Sequence, residues 1–143
     1  MPHNIIKPKF STMDSFQIST ASRSQFIDIT SQVQKVVAES RISDGLCHIW
    51  VPHTTAGLTV NENADPSVVE DILKQLDRMV PWGNHYRHGE GNSAAHIKSS
   101  LMGCHLTVVI KDGRLQLGTW QGIYFCEFDG PRQRQIWLKT VQC

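Results

Sequence analysis

The chain has 143 residues, a formal net charge of +1 and four cysteines. That length fits one domain with a real core, and the near-neutral charge excludes bulk attraction to nucleic acid or to an anionic membrane. Cys47, Cys104, Cys126 and Cys143 form no CxxC pair, which argues against a zinc ribbon or redox motif and suits reduced thiols in a cytoplasmic protein. No stretch approaches the roughly 20 apolar residues of a membrane span.

Met1 to Thr12 carries two prolines and little pattern, so it reads as a loose N-terminal arm. Ser15 to Ser19 alternates apolar and polar residues, the period of a half-buried strand, and Gln25 to Ile29 reads as a second strand after a Ser22-Arg23-Ser24 turn. A helix is expected to start with Thr30 or Ser31 as its N-cap, to gather Val33, Val36 and Val37 on one face, and to end near Ser43-Asp44-Gly45. Leu46 to Val51 suits a buried strand that Pro52 stops, and Leu58 to Asn61 looks like another. Asp65-Pro66 is a strong helix start, and Val68, Val69, Ile72, Leu73, Leu76, Met79 and Val80 form an apolar stripe as far as Pro81.

Trp82 to Gly91 reads as loop, and Ala94 to Met102 as a short helix stopped by Gly103. His105 to Ile110 is an expected strand, turned back by a tight Asp112-Gly113 hairpin into Leu115 to Leu117. Gly122 to Phe128 and Gln135 to Val141 complete the strands, with a turn at Asp129 to Arg132. Strands at both ends and helices in the middle give a single α+β domain with mostly antiparallel sheet, two longer helices and one short one.

The densest chemistry lies in His85 to Ser100, which holds three of the seven histidines and two loosening glycines. A flexible loop presenting His88 and a helix presenting His96 can supply imidazoles to a divalent ion, and His53, beside the Thr54-Thr55-Ala56-Gly57 bend, is the best third donor. The ordinary reading of any single histidine is a hydrogen-bonded or surface residue, and no HExxH pattern is present. Three imidazoles favour zinc or nickel, while Glu62 and Asp65 leave room for magnesium or calcium. Asp65 is explained as a helix cap and Asn63 as a turn residue. Glu62 has no comparable local role, so with Asn61 it is the better catalytic candidate, as general base or partner to a ligand histidine. Glu90 in the glycine loop reads as solvated. The helix start at Asn92-Ser93 offers free N–H groups to an anion, with Lys98, Ser99 and Ser100 just inside it and Arg132 and Arg134 as a phosphate clamp or as ordinary surface charge. Trp120 either lines a ring-binding pocket or belongs to the core.

Taken together, His53 to Asn63 with Asp65-Pro66, His88 with His96-Ile97-Lys98-Ser99-Ser100, and Gly113-Arg114 with Gly118 to Ile123 resemble the YjbQ family, also called secondary thiamine-phosphate synthase. The resemblance runs from about Ser15 to Val141. It implies a small α+β fold, a homotrimer, and a histidine-lined site for one divalent metal ion per subunit on His53, His88 and His96. It also implies a weak ability to join a pyrimidine diphosphate to a thiazole phosphate with release of pyrophosphate. The family's Asn-Glu pair maps onto Asn61 and Glu62, whereas His48, His85 and His105 match no motif. The expected protein is therefore a cytoplasmic, metal-dependent enzyme acting on a small phosphorylated substrate, with neither nucleic acid nor membrane as partner. Its rivals are a metal-assisted phosphate-ester hydrolase and a non-catalytic trimeric metal-binding protein.

Overall fold

The computed structural model describes residues 13–143; the expected N-terminal arm lies outside them. The order is β1 (Met13–Ser19), β2 (Gln25–Asp28), α1 (Thr30–Ser40), β3 (Gly45–Trp50), β4 (Ala56–Glu62), α2 (Pro66–Met79), α3 (Ser93–Met102), β5 (His105–Lys111), β6 (Arg114–Leu115), β7 (Gln121–Glu127) and β8 (Gln133–Gln142). The fold is α+β, as the pattern implied. Its strands form a five-stranded sheet in the order β1-β8-β3-β5-β6 and a three-stranded sheet in the order β2-β7-β4. Every pairing is antiparallel.

The two sheets face each other across the main core. Cys47, Ile49, Ile110, Ile136 and Leu138 from the larger sheet meet Leu58, Ile123 and Phe125 from the smaller one, and Val33 and Val37 of α1 join them. The far side of the small sheet carries a second cluster, in which Cys126 and Tyr124 of β7 pack with Leu76 of α2 and Ala95 of α3. β7 is therefore covered on both faces, which explains its unbroken apolar run Ile123-Tyr124-Phe125-Cys126. Among the described residues, no helix is long and apolar enough to cross a membrane.

Local chemistry sets the element ends. Asp65 caps α2 by accepting the Ser67 N–H at 2.9 Å, with Pro66 at the first helical position. The Lys111↔Arg114 pairing closes the β5–β6 hairpin over two residues, and both take positive φ, Asp112 at 52° and Gly113 at 74°. This is the conformation for which Asp-Gly is suited. Two expectations about α1 are corrected. Thr30 is not its N-cap: Ile29 holds that position, and the Thr30 hydroxyl accepts the Ile123 N–H at 2.8 Å, tying the helix start to β7. The helix also ends earlier than Ser43, because Arg41 turns left-handed at φ 57°.

Candidate functional site

β3 ends where Pro52 cannot donate to the ladder. His53 takes over: its Nε2 accepts the Gln135 N–H of β8 at 2.9 Å. Burial first, and the nearby Arg134 guanidinium second, hold His53 below the usual histidine range. The ring is therefore neutral at neutral pH, with its proton on Nδ1 and its lone pair on Nε2 engaged by Gln135.

Beside His53 lies a buried ion pair. Glu127 is fully buried and Arg134 nearly so. Arg134 Nε donates to Glu127 Oε2 at 2.7 Å, and Nη2 reaches both the other carboxylate oxygen and the Thr55 hydroxyl, the latter at 2.9 Å. The Thr20 hydroxyl and the Asp129 N–H also donate to Glu127, each at 2.9 Å. Burial alone would raise the Glu127 carboxyl; these hydrogen bonds and the Arg134 charge outweigh it and hold the group below the usual carboxylate range. Arg134 is thus a framework residue rather than a phosphate clamp. Arg132 is the half-exposed neighbour, donating from Nε to the Asp129 carbonyl at 2.8 Å and lying 3.1 Å from its carboxylate through Nη2.

α3 begins at the same end of the small sheet. Asn92 occupies the N-cap position but makes no side-chain cap bond. Its Nδ2 donates to Asp129 Oδ2 at 2.8 Å instead, and its buried Oδ1 has no partner among the described residues. The positive end of α3 is left without a side-chain cap, beside Arg132 and Asp129. His96, one turn in, faces His88 from the glycine loop, with ring centroids 5.4 Å apart and planes at 83°. Glu90 Oε1 lies 4.0 Å from His88 Nε2.

The predicted site residues fall into separate groups. His88 and His96 come together, and His53 and Arg132 lie at the same end of the small sheet. Among the described residues of one chain, however, no group of three or more His, Cys, Asp or Glu side chains is placed to hold a metal ion, so His53 does not close on the other two. Lys98 is buried and paired with Asp77, away from this surface, and the Ser99 hydroxyl donates to the Ala56 carbonyl at 2.6 Å. Asn61 and Glu62 stand at the opposite end of β4, about 20 Å from its start at ~3.3 Å per residue. There Trp120 is 63% exposed, its carbonyl accepts the Asn63 N–H, and the Asn63 amide donates to Asp28. Asp28 lines a cavity of about 600 Å³ with Thr30, Gln34 and Leu117. Asp65 serves as the α2 cap and is exposed.

Sequence reasoning passed over Glu127, Asp129, Thr20 and Thr55. Glu127 gave one signal: a lone carboxylate between Cys126 and Phe128 in an apolar strand, which demands a buried cation.

Two antiparallel sheets face to face, with α2 and α3 on the outer side of the smaller one and paired histidines at the start of α3, define the class of α+β domain. Residues 14–143 match the family described as UPF0047 protein YjbQ-like, and the chain belongs to that family. A UPF0047 protein of Methanocaldococcus jannaschii is 53% identical over 126 residues, covering 88% of this chain and 91% of the relative. YugU of Bacillus subtilis is 52% identical over 130 residues, covering 90% and 98%. A YjbQ/UPF0047 family crystal structure from Clostridium acetobutylicum superposes with a TM-score of 0.88 at 54% identity, covering 90% of this chain and 99% of that one.

Proposed function

We propose that this protein is a metal-dependent enzyme acting on small phosphorylated molecules, with a thiamine-phosphate synthase type of transfer as its reaction. The observation that supports this most is the His88–His96 pair beside the uncapped start of α3 and Arg132. Imidazole nitrogens and an anion-attracting helix end together suit a metal-bound phosphate.

The residues fit an ion in part. His88 and His96 would hold it, and His53 would complete the set by releasing the Gln135 N–H and turning Nε2 to the ion. A divalent ion bound there would polarise a phosphate oxygen and ease departure of pyrophosphate. Arg132 supplies further positive charge to the leaving group, and the first-turn N–H groups of α3 orient it.

Glu62 and Asn61 lie too far along β4 to serve the histidines of their own chain. In a homotrimer they would belong to the site of a neighbouring copy, where Glu62 accepts a proton and Asn61 orients substrate. The test is pyrophosphate release from a pyrimidine diphosphate and a thiazole phosphate with added zinc. His96→Ala and Glu62→Ala are each expected to be inactive alone, and mixed trimers of the two to regain activity. An inactive wild type would remove the reaction, and inactive mixed trimers would remove the shared site.

A further inference from the structure

Behind α3, on the side away from His96, lies a cavity of about 520 Å³ that none of the roles above employs. Three separate parts of the chain build it: the β1–β2 turn with Ser22, Arg23 and Ser24, the end of α2 with Asp77 and Trp82 beyond it, and Lys98 of α3. The turn is fixed in place. Gly130 donates its N–H to the Arg23 carbonyl at 3.1 Å, and a Cβ there would meet the Ser22 carbonyl at 2.3 Å, so only glycine lets the two turns approach.

The lining has a definite charge and shape. Lys98 is 3% exposed, and its ammonium contacts the Asp77 carboxylate. The Arg23 guanidinium lies 4.1 Å over the Trp82 ring. Two cations against one carboxylate leave a single positive charge to be matched. That charge is a planar fork stacked on an aromatic wall, the geometry that grips a carboxylate through two parallel hydrogen bonds. The hydroxyls of Ser22 and Ser24 add donors. Asp77 at the rim disfavours a dianion such as phosphate, and the volume falls within the range of small-molecule sites.

We infer that this cavity is a binding site for a small aromatic monocarboxylate, separate from the phosphate-handling surface at the start of α3. Its carboxylate pairs with the free edge of Arg23 and the serine hydroxyls, and its ring lies beside Trp82 at the edge that Arg23 leaves uncovered. Occupancy needs no metal, so it can be measured whether or not the proposed enzyme activity exists.

The experiment is a titration of the full chain with benzoate at constant ionic strength and with chelator present, followed by tryptophan fluorescence and calorimetry. A saturable response is expected, weakened at least about tenfold in Arg23→Gln, which removes a charged hydrogen-bonding partner from an exposed position. In Trp82→Phe the fluorescence response is lost while calorimetric binding remains. Absence of saturable binding overturns the proposal. So does binding unchanged by Arg23→Gln, or inorganic phosphate that competes as well as benzoate does.

Discussion

The two ends of the β4–β7 pair carry carboxylates in opposite circumstances. Near the start of β4, Glu127 of the paired β7 is fully buried and accepts from Arg134, Thr20 and the Asp129 N–H. At the far end, Glu62 is half-buried and, among the described residues, its side chain has no such ring of donors; its backbone receives the Tyr124 hydroxyl at 3.2 Å and donates to the Asn61 side chain. A carboxylate enclosed by donors holds the fold in register, whereas one left with free oxygens is available to a substrate. The difference separates a framework carboxylate from a candidate for chemistry at the two ends of the β4–β7 pair.

The largest test of that contrast is removal of each charge. Glu127→Leu strands the buried Arg134 guanidinium and should cost about 3–5 kcal/mol in urea unfolding. Adding Arg134→Met should recover part of the loss, since an apolar pair needs no counter-charge. Glu62→Gln should change stability by no more than about 0.5 kcal/mol while abolishing the proposed transfer. Equal destabilisation by Glu127→Leu and Glu62→Gln would erase the distinction.

Acid should act at the Glu127 end, where His53 also lies. The folded-state pKa of Glu127 is depressed, so its contribution is present above the ordinary carboxylate value of 4.5 and is lost as pH falls through the lower folded value. His53 is depressed as well. Its contribution is present above the ordinary value of 6.5 and falls away below it, because the unfolded chain takes up the proton first. Stability measured against pH should therefore begin to decline just below neutrality. His53→Asn should remove that first decline and leave the deeper acid loss in place. A smaller effect is expected at the Glu62 end, where Asp65→Ala should cost about 1 kcal/mol through the lost α2 cap, read as a lower urea midpoint.

What was legible in the sequence was local. Asp65-Pro66 and Pro81 bracket α2 because cap and ring geometry act within a few residues, and Asp112-Gly113 sets its hairpin for the same reason. The alternation in β1 and the apolar run in β7 followed from one covered face and two. The order of strands was not legible, nor was the network that joins Thr20, Thr55, Glu127 and Arg134, in which Thr20 bonds a partner 107 residues away. Arg134 looked like a surface cation because nothing beside it in the chain announces Glu127. Lys98 and Ser99 looked like anion donors because their helix faces were unknown until α3 was seated on β4. Asn92 kept its place at the helix start, but its amide went to Asp129, a partner the local pattern does not contain.

The account rests most on an ion held at the start of α3. Elemental analysis of the untagged protein, alongside His88→Ala, His96→Ala and Glu62→Gln, addresses it directly. About one divalent transition-metal ion per chain is expected in the wild type and in Glu62→Gln, with loss in both histidine variants. No ion in the wild type after incubation with zinc, or full retention in both histidine variants, would contradict it.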